Sequence, residues 1–118
     1  MSVGELEDLA ARLRAFAEER DWEQFHSPKN LSMALAVEAA ELLEHFQWLT
    51  EAESLALPPA RREQVAEEIA DVFIYLIRLA DRLGIDLSAA ARAKILKNAA
   101  RYPVEKSRGH KKKYSELD

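Results

Sequence analysis

The stretch Leu31-Ser-Met-Ala-Leu-Ala-Val-Glu38-Ala-Ala-Glu41-Leu-Leu-Glu44-His-Phe-Gln-Trp48-Leu49 decides the fold. At about 100° per residue, Leu31, Leu35, Leu42, Phe46 and Leu49 fall in one arc of roughly 60°. Glu38 lies just outside that arc, with Glu41 and His45 beyond it. The far side carries Ser32, Met33, Ala36, Ala40, Leu43 and Gln47, with Glu44 at its edge. This is a helix without a well-charged solvent face. A helix nearly apolar all round is buried, and a chain of 118 residues can hardly surround it. The pattern predicts an oligomer, a dimer or dimer of dimers, in which small Ala36 and Ala40 permit close helix approach.

Working outward, Ala60 to Leu83 repeats the theme. Val65, Ile69, Val72, Phe73, Leu76, Ile77, Leu79, Ala80 and Leu83 span well over a third of the circumference, and Gly84 is placed to cap the helix end. Upstream, Leu6, Leu9, Ala10, Leu13, Phe16 and Ala17 give helical spacing over Val3 to Arg20. Asp21 to Asn30 breaks the period, and Ser27-Pro28 is a start signal for the helix that follows. Thr50 to Pro59 is a connector closed by two prolines. Ser88 can cap a fourth helix running to about Ala100, which Tyr102-Pro103 stops. Glu105 to Asp118 is polar, basic and expected to be extended. The expectation is one all-α domain over residues 1–118, resembling a four-helix bundle.

Composition bounds the function. Hydrophobic residues make up 48% and charged residues 32%, a soluble globular balance. A net charge of −4 argues against a nucleic-acid polymer as partner. The longest apolar run, Val72 to Ile77, is far short of the ~20 residues of a membrane span. The acidic start, MSVGELEDLAARLR, does not resemble a secretion signal, so a cytoplasmic location is expected. There is no Cys, which excludes disulfides, thiolate metal sites and cysteine nucleophiles. Three Gly and four Pro leave few turns for strands.

The chemistry gathers on the two apolar helices. Glu38-x-x-Glu41 and Glu68-x-x-Asp71 each set two carboxylates a turn apart on one face, at the margin of an apolar arc. Each pair is followed four residues later by a polar ring, His45 and Tyr75. If the arcs face each other, four carboxylates converge and repel. Either their pKa values rise or a cation neutralises them. Hard oxygen ligands select Mg²⁺ or Mn²⁺, and Mg²⁺ held this way completes its shell with water and phosphate oxygens. The competing reading is plain surface charge, since Glu is a good helix former. A di-iron bundle fits poorly, because it wants Glu-x-x-His on two helices.

A phosphate ligand needs cations. Lys94 and Asn98 lie one turn apart, Arg101-Tyr102 follow, Arg82 stands three turns beyond Asp71, and the tail adds Arg108 and Lys111 to Lys113. The Lys run reads first as a solvated, solubilising tail. Among the aromatics, Phe25, Phe46 and Phe73 read as core. Trp22 with His26 in the loop, Trp48 at the helix end and Tyr75 are candidates to stack on a base.

Glu38-Ala-Ala-Glu41-Leu-Leu-Glu44-His-Phe46-Gln-Trp48 followed by Glu67-Glu68-Ile-Ala-Asp71-Val-Phe-Ile-Tyr75 resembles the MazG-type all-α nucleoside triphosphate pyrophosphohydrolases. Within them the chain is most similar to the dCTP pyrophosphatases. Arg20-Asp-Trp22-Glu-Gln-Phe25-His26, Pro28-Lys-Asn30-Leu, Lys94 with Asn98, Arg101-Tyr102-Pro103 and Lys113-Tyr114-Ser-Glu-Leu117 extend the likeness from about Leu6 to Leu117. The resemblance implies hydrolysis of a nucleoside triphosphate to the monophosphate and pyrophosphate. It implies Mg²⁺ on Glu38, Glu41, Glu68 and Asp71, and phosphate contacts from Lys94, Asn98, Arg82 and Tyr102. It implies a base pocket of Trp22, Trp48 and Tyr75 with His26, in a dimer or dimer of dimers that shares sites across its interface. Leu13 departs from the pattern, standing where the animal dCTP enzymes are expected to present a base-contacting His. The alternatives are a pyrophosphohydrolase of dUTP, of NTPs in general or of phosphoribosyl-ATP, or a helical oligomerisation module without catalysis.

Overall fold

The computed structural model describes residues 3–116. Met1, Ser2, Leu117 and Asp118 lie outside the described residues, and with them the ends of the acidic start and of the basic tail. Among the described residues every regular element is helical: α1 (Val3–Glu19), α2 (Pro28–Glu44), α3 (Glu51–Ser54), α4 (Pro59–Arg82), α5 (Leu87–Arg101) and α6 (Val104–Ser107). Short 3₁₀ turns cover Glu23–Phe25 and Tyr114–Glu116. The all-α expectation holds.

Two compact units separate, Met1–Ile85 and Asp86–Asp118. In the first, α2 packs along α4, and α1 packs on α4 as well. Its core is small: Ala17, Leu31, Val65, Ile77 and Ala80 are buried, and so is Arg78. The arcs are wider than these neighbours cover. Met33, Val37 and Leu43 on α2, Ile69 and Leu76 on α4, and Leu83 just past its end remain exposed.

The start and stop signals act as physics requires. The Ser27 hydroxyl accepts from the Asn30 N–H at 3.1 Å, and Pro28 opens α2 at a position that needs no donor. Helix α2 therefore begins three residues before Leu31. Gly84 follows α4 with φ +67°, and the N–H of Ile85 returns to the Ala80 carbonyl at 2.9 Å.

Three expectations are corrected. The connector contains a helical turn, α3, closed by a capping box in which the Thr50 hydroxyl and the Glu53 carboxylate satisfy each other's backbone N–H. The cap of α5 is Asp86 rather than Ser88; its carboxylate accepts from Ala89 N–H at 3.0 Å, so the helix starts at Leu87. The stretch after Pro103 is not extended throughout, because Pro103 sets the φ that starts α6.

Candidate active site

Helices α2 and α4 present the acids to one another because the apolar arcs that flank them pack together. Glu38, Glu41 and Glu68 each offer a carboxylate oxygen, all within 4.8 Å of one another. Asp71 stands outside that triangle, although its charge is close enough to raise Glu38. The convergence expected for four carboxylates is therefore tight for three, with the fourth at the margin. Glu38 is pushed up to about 7, by burial first and then by Glu41, Asp71 and Glu68.

The donor set fits a hard divalent cation. One oxygen each of Glu38 and Glu68 is sealed from solvent without a hydrogen-bond partner. A buried carboxylate oxygen in that state is costly unless a proton or a metal meets it. All the ligand atoms are oxygens, which suits Mg²⁺ or Mn²⁺ rather than a soft metal. His45 does not join the cluster; its Nδ1 faces Arg61 at 3.1 Å.

Separately, α1 and α4 leave a groove of about 270 Å³ lined by Leu9, Arg12, Leu13, Phe16, Phe73, Ile74 and Ile77. Phe73 is two residues past Asp71, about 200° round the helix, so the groove lies on the α1 side of α4 and the acids on the α2 side. Trp22 packs edge-on to Phe16, one of the lining residues, with centroids 5.7 Å apart. His26 sits next to Trp22, its ring tilted at 6.2 Å. Leu13 lies in the groove wall. Tyr75 is half-buried on α4, four residues beyond Asp71.

Other expected site residues are placed differently. Trp48 is 86% exposed in the turn after α2, and among the described residues no ring contact joins it to Trp22. Phe25, read as core, is exposed, because the 3₁₀ turn directs it outward. The Arg82 guanidinium is engaged by the Glu23 carboxylate at 2.8 Å and the His26 carbonyl at 3.1 Å. It lies eleven residues past Asp71, about 16 Å along the helix. The structure does not bring it to the acids. Lys94, Asn98 and Tyr102 belong to the second unit; Lys94 and Asn98 share a face of α5, and the Asn98 carbonyl takes the Tyr102 N–H at 2.8 Å.

Sequence reading missed an ion network behind the loop. Arg78, almost wholly buried, donates to Glu23 at 2.8 Å and to Asp81 at 3.2 Å. Arg14 of α1 grips Asp81 with two hydrogen bonds, at 2.6 and 3.0 Å, and holds its carboxyl below the usual range. His26 is pushed down by burial and by Arg78. The available signal was Arg78 itself, a cation set among the apolar residues Leu76, Ile77, Leu79 and Ala80.

The comparisons with known proteins agree with this geometry. Residues 33–117 match the MazG-like family, and the chain belongs to that family. It is 48% identical to dCTP pyrophosphatase 1 of Mus musculus over 114 residues, 95% of this chain and 67% of that protein. Against dCTP pyrophosphatase 1 of Homo sapiens the identity is 46%, with 95% and 67% covered. The crystal structure of a pyrophosphatase from Archaeoglobus fulgidus superposes with a TM-score of 0.79 at 42% identity, over 84% of this chain and 93% of that one.

Proposed function

We propose that this chain hydrolyses a nucleoside triphosphate, dCTP or a related deoxynucleotide, to the monophosphate and pyrophosphate. The observation that carries the reading is the acid triangle of Glu38, Glu41 and Glu68 with two sealed, unpaired oxygens. It lies in a chain of the MazG-like family that is 48% identical to a dCTP pyrophosphatase.

Glu38, Glu41 and Glu68, with Asp71 beside them, hold Mg²⁺, for which Mn²⁺ can substitute. Once bound, such an ion neutralises charge on phosphate oxygens and acidifies water. A carboxylate of the quartet, or exposed Glu44, orients the attacking water toward the α-phosphorus. Lys94, Asn98 and Tyr102 contact the phosphates and steady the departing pyrophosphate. Trp22, with His26, Tyr75 and Trp48, lines the base pocket.

The whole of residues 1–118 acts as one catalytic domain, assembled as a homodimer or homotetramer. The exposed Met33, Val37 and Leu43 face of α2 supports this, since a contiguous apolar surface seeks a partner. A second copy would also cover Trp48. No described helix is long and apolar enough to cross a membrane, and a cytoplasmic site of action suits a nucleotide-pool enzyme.

A pyrophosphate-release panel over the common dNTPs and NTPs, with and without Mg²⁺, tests the proposal. Metal-dependent release that is strongest with dCTP supports it. Release from no nucleotide overturns it in favour of an oligomerisation module.

A further inference from the structure

The loop that carries Trp22 and His26 is tied to itself only locally, by Gln24 on Asp21 at 3.0 Å and by Asn30 on the Phe25 carbonyl at 3.1 Å. It consists of one 3₁₀ turn and a left-handed Asp21 at φ +55°, a conformation that non-glycine residues adopt at a cost. Its register on α4 is set by side chains of α4. Glu23, next to Trp22, divides its carboxylate: Oε1 accepts from Arg78 at 2.8 Å and Oε2 from Arg82 at 2.8 Å. The same two guanidiniums reach His26. Arg82 Nε donates to its carbonyl at 3.1 Å, and Arg78 approaches its Nδ1 at 3.4 Å.

A single ion pair fixes one point of a loop and lets it pivot. A carboxylate shared between two cations one helical turn apart, with a carbonyl held by one of them, removes the pivot. Arg78 cannot drift, since its side chain is 3% exposed and a buried guanidinium without its acids is strongly disfavoured. Asp81 pins Arg78 from the other side and is itself held by Arg14. A guanidinium can only donate, so His26 Nδ1 is the acceptor and the neutral ring carries its proton on Nε2. The clamp therefore fixes the donor face of His26, against whose ring the Trp22 indole lies tilted with centroids 6.2 Å apart.

We propose that Glu23 is a positioning residue for recognition of the nucleobase: it registers Trp22 and His26 on α4 through Arg78 and Arg82, and so governs base affinity and base selectivity. The inference rests on the reading that Trp22 and His26 meet the base. Glu23 itself touches no substrate.

The test is steady-state hydrolysis of dCTP and dTTP by the full chain carrying Glu23→Gln, which keeps the size but loses the shared charge. The expected result is a KM for dCTP raised roughly tenfold, within the range that loss of base stacking allows. The dCTP over dTTP ratio in kcat/KM should fall, and kcat should stay within about threefold. Inhibition by inorganic pyrophosphate, which has no base, should not change. A lower melting temperature with wild-type KM and selectivity would reduce Glu23 to a structural ion pair and overturn the proposal. Equal weakening of pyrophosphate and dCTP binding would do the same. If Glu23→Gln does not fold, Glu23→Asp keeps the charge but shortens the reach, and is read by the same criteria. Trp22→Ala separates the layers: an unchanged KM there removes the base-pocket reading itself, whereas a raised KM there with a silent Glu23→Gln removes only the clamp.

Discussion

Glu38 of α2 and Glu68 of α4 meet with one oxygen each shut away from water and unpaired. Two carboxylates so placed repel, and Glu41 adds a third. The fold tolerates this only if protons or a cation supply the missing charge. Stability and activity at this site should therefore respond to acid substitutions in opposite directions.

Glu38→Gln or Asp71→Asn removes one charge and keeps the shape. Turnover should fall at least ~100-fold, the scale of losing one transition-state contact. Calorimetry on the metal-free protein should show equal or higher thermal stability, because repulsion is relieved. Wild-type-like turnover in either variant would contradict the assignment of these acids to the metal.

Glu38 also sets a pH dependence. Its carboxyl titrates near 7 in the fold, against an ordinary value of 4.5. A group raised on folding contributes stability that is fully present below its unfolded pKa and is lost as pH rises through the folded one. The metal-free protein should lose that contribution between about pH 4.5 and 7, relative to Glu38→Gln. Protons and cations compete for the same oxygens, so Mg²⁺ affinity should rise over the same window. Melting curves and Mg²⁺ titrations at pH 5, 6, 7 and 8 check both signs.

The α2 face of Met33, Val37 and Leu43 predicts association at micromolar concentration, measured by sedimentation or light scattering. Ala40 shares that face, and a charge buried there is costly. Ala40→Arg should shift the chain toward monomer. A wild-type monomer at these concentrations would refute the assembly.

Much of this was legible in the sequence. The apolar arcs placed Glu38 and Glu68 at the edge of a packed interface, because helical period alone fixes which side chains share a face. Ser27-Pro28 and Gly84 marked helix ends, because their backbone chemistry is local. The Glu23–Arg78–Asp81–Arg14 network was not legible, since it joins positions up to 67 residues apart and depends on how α1 and the loop pack on α4. The partners of Arg82 were not legible for the same reason: sequence shows a cation, and only packing shows the Glu23 carboxylate that engages it. Asp86 outcompeted Ser88 as a cap because both have suitable side chains, and the turn after Gly84 decides which one reaches an N–H.

Trp48 stands 86% exposed beside the acid-bearing end of α2. If it walls the base pocket in the assembly, Trp48→Ala should weaken nucleotide affinity roughly ten- to a hundredfold, with a smaller loss at saturating substrate. Leu13 offers no hydrogen bond to a base edge, and selectivity needs such bonds. Preference for dCTP over dUTP, dTTP, dATP, dGTP and CTP should therefore be present but shallow in kcat/KM. An unchanged KM in Trp48→Ala would remove its stacking role.

The central claim is that the acid cluster drives cleavage between the α- and β-phosphates. The most direct measurement is phosphorus NMR of dCTP incubated with the protein and Mg²⁺, alongside a chelated control. The account predicts dCMP and pyrophosphate in equal amounts, with no turnover once the metal is chelated. Formation of dCDP and inorganic phosphate, or turnover that persists in the chelated sample, would contradict it.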